Sequence, residues 1–139
     1  MKWSCAGREL DLSVPLIMGI VNVTPDSCSD GGEHAGCEQA IEFGLKLLEE
    51  GADILDIGGE STRPGAALVS AQEEIDRVIP VVKALAKSGA VISVDTSKAE
   101  VIKESIRAGA HIINDVRALQ EPGALETVAD SALGVCLMH

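Results

Sequence analysis

Three times in this sequence a short run of apolar, β-branched residues gives way abruptly to a polar stretch: residues 17–32 (IMGIVNVTPDSCSDGG), 54–65 (ILDIGGESTRPG) and 91–98 (VISVDTSK). A buried strand feeding a polar loop is how a parallel α/β protein presents functional groups at the carboxyl ends of its strands. Helical periodicity fills the intervals. Residues 37–50 place Ala40, Ile41, Gly44, Leu47 and Leu48 on one face and stop at Gly51. Residues 70–87 open on Ser70 with Glu73 three positions on, a capping box, and end before Gly89. Pro80 inside that window predicts a kink or break near Ile79. A second capping box, Ser97 with Glu100, predicts a helix to Gly109, and Pro122 precedes a short helix over 123–131. Further strands are expected over 111–114 and 135–138, which makes the order β(αβ) four times over. The joints Gly51-Ala52, Gly89-Ala90 and Gly109-Ala110 punctuate it alike. Strands alternating with helices imply a parallel sheet, because each crossover helix returns the chain to the same end. Ahead of the first buried strand, about 16–23, residues 1–13 alternate around Gly7 and predict a small hairpin, so the whole is read as one domain over 14–139 with that hairpin in front.

The core of such a fold must be aliphatic here, since Trp3 and Phe43 are the only aromatic residues. A formal net charge of −11 argues against a nucleic-acid or anionic-membrane partner. An anionic substrate would therefore need a local device, a metal or a single arginine. No apolar run is long enough to span a bilayer, and Met1-Lys2 leads into no signal-peptide core. The cysteines Cys5, Cys28, Cys37 and Cys136 show neither a C-x-x-C pair nor zinc-like spacing, so reduced thiols and a cytoplasmic location are expected.

Each predicted strand ends on a carboxylate or amide: Asn22, Asp56, Asp95 and Asn114. Singly, such residues cap a helix or start a turn. Four in succession on one edge of a parallel sheet point to a shared site. In the loop 58–65, Gly58-Gly59 allows close backbone approach, Ser61 and Thr62 supply hydroxyls, and Arg63, stiffened by Pro64, offers a planar fork suited to phosphate. His34 reads as a solvated loop residue, His111 as structural, Lys98 as surface, and the pairs Glu49-Glu50 and Glu73-Glu74 as solvated charge.

In order and at matching spacing, IMGIVNVTPDSCSDGG, DIGGESTRPGA, ISVDTSK and GAHIINDV resemble the strand–loop motifs of the dihydropteroate synthase family. The TPDS…SDGG and STRPG pair separates it from other pterin-binding families. The resemblance implies a (β/α)8 TIM-type barrel, here running to about its fifth strand. It also implies an enzyme of folate synthesis, a transferase joining p-aminobenzoate to a dihydropterin methyl pyrophosphate with release of pyrophosphate. Asn22 would bind the Mg²⁺ that holds the leaving pyrophosphate. Thr62 and Arg63, beside Pro64, would contact that pyrophosphate and border the p-aminobenzoate pocket. Asp95 and Asn114 would hydrogen-bond the pterin, Asp56 would lie on the floor near it, and Asp30 would help close the site. Asp30, Arg63 and Asp95 are thus the catalytic candidates, and a homodimer is the family's usual assembly.

Two departures from the family stand out. Cys28 occupies the place of a phenylalanine in the wall of the p-aminobenzoate pocket, so affinity for that ligand and its sulfonamide mimics is expected to fall. Such barrels usually need about 250 residues, and the family's later motifs are not present, so the chain reads as an amino-terminal half, inactive alone and prone to self-association through its open edge. The other readings are a module that holds a pterin without turnover, and a flavodoxin-like domain for which five β/α units would be complete.

Overall fold

The computed structural model describes residues 1–23, 37–60, 65 and 68–138. The chain begins with a hairpin, β1 (Lys2–Cys5) antiparallel to β2 (Arg8–Asp11). Its two-residue turn holds Ala6 and Gly7 at positive φ, the geometry that matches the twist of the flanking strands. There follow β3 (Met18–Asn22), α1 (Glu38–Glu49), β4 (Ile54–Gly58), α2 (Ala71–Ala86), β5 (Val91–Asp95), α3 (Ala99–Ala108), β6 (Ile112–Asp115), α4 (Ala124–Ala129) and β7 (Gly134–Leu137).

Strands β3 to β7 pair in parallel, each with the one before it in sequence. A flavodoxin-like sheet reverses its strand order and carries helices on both faces. Here the order never reverses. Val21, Leu55, Ile57, Ile92, Val94 and Ile113 form one aliphatic core with residues of all four helices. The winding is that of a (β/α)8 barrel through its fifth strand, and the flavodoxin-like reading is set aside.

The other face alternates with the first. Ile54, Val91 and Ile112 point to it and are covered at their lower end by Cys5, Leu10 and Trp3 of the hairpin. The amide of Ala6 donates to the Ala132 carbonyl at 2.8 Å. A Cβ added to Gly134 would lie 2.5 Å from Cys5 Sγ and 2.8 Å from the Trp3 ring. Gly134→Ala is therefore expected to destabilise the chain by about 1–3 kcal/mol through overpacking, read by urea denaturation followed on Trp3 fluorescence.

Above the hairpin this face is open. Ile20, expected inside a buried strand, is 51% exposed, because β3 is an edge strand and nothing described covers its upper half. Leu137 and Met138 are exposed at the opposite edge. Pro80 does not break α2, which runs unbroken from Ala71 to Ala86. The lost backbone bond costs about 3 kcal/mol. Burial of Val78, Ile79, Val81, Val82 and Leu85 on the same helix outweighs it, at about 1.5–3 kcal/mol per side chain.

The first capping box forms its backbone half, Glu73 N donating to Ser70 Oγ at 3.1 Å. The second does not form. The N-cap of α3 is Lys98 with no side-chain cap bond, and Ser97 Oγ donates to Asp115 Oδ1 at 2.6 Å instead. Asp115 is fully buried and needs donors; it also takes the amides of Arg117 and Leu119 at 2.8 and 2.9 Å.

Cys5 and Cys136 are free thiols. Cys37 is disulfide-bonded, against the expectation of reduced thiols throughout; cysteine spacing alone does not exclude a bridge closing a longer loop. No helix among the described residues is long and apolar enough to cross a membrane.

His111 is structural, as read: its Nδ1 accepts the amide of Ile92 at 3.0 Å. Burial, with the Arg8 charge, holds its imidazole below the usual range. The neutral ring is thus the folded form, and its stabilisation is complete above pH about 6.5 and lost as pH falls through the lowered pKa. His111→Leu is expected to remove that acid-side step in a pH series of urea midpoints. It should also cost about 1–3 kcal/mol at pH 8 by leaving the Ile92 amide unpaired.

Candidate active site

Register decides which side chains meet. Asn22, Gly58, Asp95, Asn114 and Cys136 are successive partners across the sheet and form one row at its carboxyl edge. Ile20, Asp56, Ser93, Ile112 and Gly134 form the row beneath. Asn22, Asp95 and Asn114 are therefore level, as expected. Asp56 is not a strand end: β4 continues to Gly58, and Asp56 lies one layer deeper.

That depth gives Asp56 a fixed surrounding. Its buried carboxylate accepts Ser93 Oγ at 2.7 Å and Asn114 Nδ2 at 3.1 Å. The second bond engages the Asn114 amide nitrogen and leaves its Oδ1 as the amide's acceptor. Gly58 keeps the top row low beside Asp95, since a Cβ there would sit 3.4 Å from Asp95 Cβ.

The side-chain carboxylate of Asp95 receives no hydrogen bond from any described residue, and the residue is only partly exposed. Burial first, then the charges of Asp56, Glu74, Asp115 and Glu60, push its carboxyl up to about 7. A carboxylate held this way is short of donors. A ligand edge bearing two N–H groups would relieve it, and the neighbouring amide oxygen of Asn114 could take a third. Asn22 is exposed at the far end of the row.

Behind Asp95 is a cluster of charged groups. Glu74 is 0% exposed and accepts Thr96 Oγ1 at 2.6 Å. Lys98 Nζ lies 2.6 Å from Glu74 Oε1 and 2.6 Å from Glu60 Oε2. Burial opposes the charge on Lys98, but hydrogen bonds and the charges of both carboxylates hold its ammonium above the usual range. Burial also opposes Glu60, yet its bonds to Lys98 and its other partners hold its carboxyl low. At Glu74 burial wins and the carboxyl is raised. Arg77 Nη1 donates to the Gly59 carbonyl at 2.9 Å.

The expectations of a surface Lys98 and a solvated Glu74 are thus corrected. Glu74 lies on the apolar stripe of α2 with Val78, Val81 and Leu85, so the helix face that buries those residues buries it too. That placement was a signal available in the sequence. Nothing local to Lys98 or Glu60 marked them. Asp30, Cys28, Thr62, Arg63 and Pro64 lie outside the described residues.

A family model described as "Pterin binding enzyme" matches residues 18–139. The chain belongs to the pterin-binding enzyme family. Dihydropteroate synthase of Escherichia coli (strain K12) is 60% identical over 140 residues, covering 100% of this chain and 50% of that protein. The Yersinia pestis dihydropteroate synthase, solved in a sulfonamide drug complex, matches with a TM-score of 0.90 at 61% identity over 100% of this chain and 51% of its own. The Xanthomonas albilineans enzyme with 4-aminobenzoic acid matches with a TM-score of 0.89 at 57% identity, over 99% and 52%. The chain spans about half the length of the relatives it matches. The likeness read from the strand–loop motifs is therefore borne out at the level of family and fold.

Proposed function

We propose that this chain carries the pterin-holding part of a cytoplasmic dihydropteroate synthase, which joins p-aminobenzoate to a dihydropterin methyl pyrophosphate and releases pyrophosphate. The observation that supports it most is Asp95, a carboxylate without a described partner, level with an Asn114 amide whose orientation Asp56 fixes.

In this reading Asp95 accepts the amino and ring N–H groups of the pterin while Asn114 Oδ1 takes a further donor. As the pyrophosphate leaves, positive charge develops on the pterin methylene. Asp95, with Asp56 beneath it and Glu74 and Glu60 behind, places negative potential against that charge in a partly desolvated setting. Thr62 and Arg63 would contact the pyrophosphate, a group to which the planar donor fork of an arginine is suited. Asp30 closes the site.

Asn22 fits Mg²⁺ in kind: an exposed amide oxygen is a hard donor, and Mg²⁺ characteristically completes its shell with water and substrate phosphates. No group of three or more His, Cys, Asp or Glu among the described residues offers an all-protein site. When bound there, Mg²⁺ would neutralise charge on the departing pyrophosphate.

The test is calorimetric titration of a dihydropterin pyrophosphate analogue with Mg²⁺ into purified, monodisperse chain. Binding lost in Asp95→Ala and weakened in Arg63→Ala supports the reading; no binding by the folded chain overturns it for these residues alone. Adding p-aminobenzoate and following pyrophosphate release separates an enzyme from a module that holds a pterin without turnover.

A further inference from the structure

We propose that Asp115 is a positioning residue: it binds the segments leaving β5 and β6 to each other and holds the turn 116–119 in a strained form, so that Asp95 and Asn114 meet one pterin edge at a fixed separation. This rests on the functional reading above, in which those two residues hold the pterin.

Asp115 follows Asn114 on β6, and strand alternation turns it to the opposite face, where it is 0% exposed. Its carboxylate gathers three donors from two segments. Oδ1 accepts Ser97 Oγ at 2.6 Å and the Arg117 amide at 2.8 Å, and Oδ2 accepts the Leu119 amide at 2.9 Å. Ser97 stands two residues beyond Asp95. A second bond joins the same segments, Thr96 N donating to the Asn114 carbonyl at 3.2 Å. The backbone carbonyl of Asp115 takes the amides of Ala118 at 3.1 Å and of Met138, just past β7, at 3.2 Å. Three neighbouring strand exits therefore close on one residue.

The turn that Asp115 holds is costly. Ala118 and Leu119 stand in succession at φ 52° and 61°. Elsewhere among the described residues positive φ falls on glycine, apart from Ala6 in the hairpin turn. Side chains in that region crowd the backbone, and such a turn persists only where its surroundings impose it. Two amides bound to a buried carboxylate impose it here. A turn serving stability alone would be cheaper with glycine. What Asp115 supplies is rigidity beside Asn114, at the edge where the ligand row lies.

The test compares Asp115→Asn, Ala118→Gly, the two combined, and Ser97→Ala, each shown folded by circular dichroism. The probe is 6-hydroxymethyl-7,8-dihydropterin, titrated calorimetrically. An amide has one accepting oxygen for three donors, so Asp115→Asn is expected to lose about tenfold in affinity. Its Arg117 and Leu119 amides should exchange faster while those of β3 and β4 keep their protection. Ser97→Ala cuts only the bond between the segments and should lose about threefold; it decides the matter should Asp115→Asn not fold. Adding Ala118→Gly to Asp115→Asn should restore at least about threefold, because glycine takes the left-handed form without a clamp. A loss of stability alone would not be recovered by a glycine. Wild-type affinity in Asp115→Asn and Ser97→Ala, no recovery in the combined variant, or unchanged exchange at both amides would overturn the proposal. Absence of binding by the unsubstituted chain overturns the functional reading instead, and exchange at Arg117 and Leu119 still decides the clamp.

Discussion

Asp95→Asn is expected to make this chain more stable at pH 8 and to cost at least about 100-fold in pterin affinity. Both effects come from the same setting. The Asp95 carboxyl titrates near 7 in the folded chain, against about 3.9 unfolded. Between those values the folded state binds more protons, so stability falls as pH rises from about 4 to about 7 and stays lower above. Asparagine removes that penalty. Allowing for the partial exposure of the group, the gain is about 1–2 kcal/mol at pH 8, a few degrees in Tm, and vanishes below pH about 4. The loss in binding follows because an amide cannot accept two N–H groups with a full charge behind the bonds, each of which contributes about 1.5–3 kcal/mol. In the unsubstituted chain, pterin affinity should rise with pH through about 7 as Asp95 ionises. Paired thermal melts and titrations at pH 5 and pH 8 check the whole set. A less stable Asp95→Asn at pH 8 would contradict the electrostatic account.

Lys98→Met should be severe. It leaves Glu74 fully buried with only the Thr96 hydroxyl as partner, and breaking one side of a buried pair costs about 3–5 kcal/mol. For a chain of this size that lowers Tm by about 10 °C. Adding Glu74→Gln should recover most of the loss, since an amide keeps the Thr96 bond without a charge to compensate. A melting temperature unchanged in Lys98→Met would mean that the cluster is solvated.

The fold was legible because its signals are local and repeated. β-branched runs, Gly-Ala joints and helical periodicity agree with one another over the whole described chain, and even Pro80 could not overrule the apolar face of α2. Asn22, Asp95 and Asn114 were legible as a level row because strand ends in a parallel sheet share an edge. Asp56 was placed one layer too high, since a sequence does not say where pairing stops. Ser97 was assigned to its own helix when the buried Asp115 of another strand had the stronger demand. Glu60 and Lys98 were missed for the same reason: their partners are thirty or more positions away or on another element, and only packing brings them together.

The hairpin at the chain's start has a kinetic consequence. Every parallel pairing joins neighbours in sequence, so the sheet can assemble unit by unit in the order of synthesis, with modest loop-closure cost at each step. The contacts of Trp3 and Cys5 with Gly134, and of Ala6 with Ala132, cannot form until the last strand exists. Trp3 also packs with Ile54, Val91 and Ile112, so its fluorescence reports the docking of the hairpin in stages, with the contact to Gly134 made only after β7 has paired.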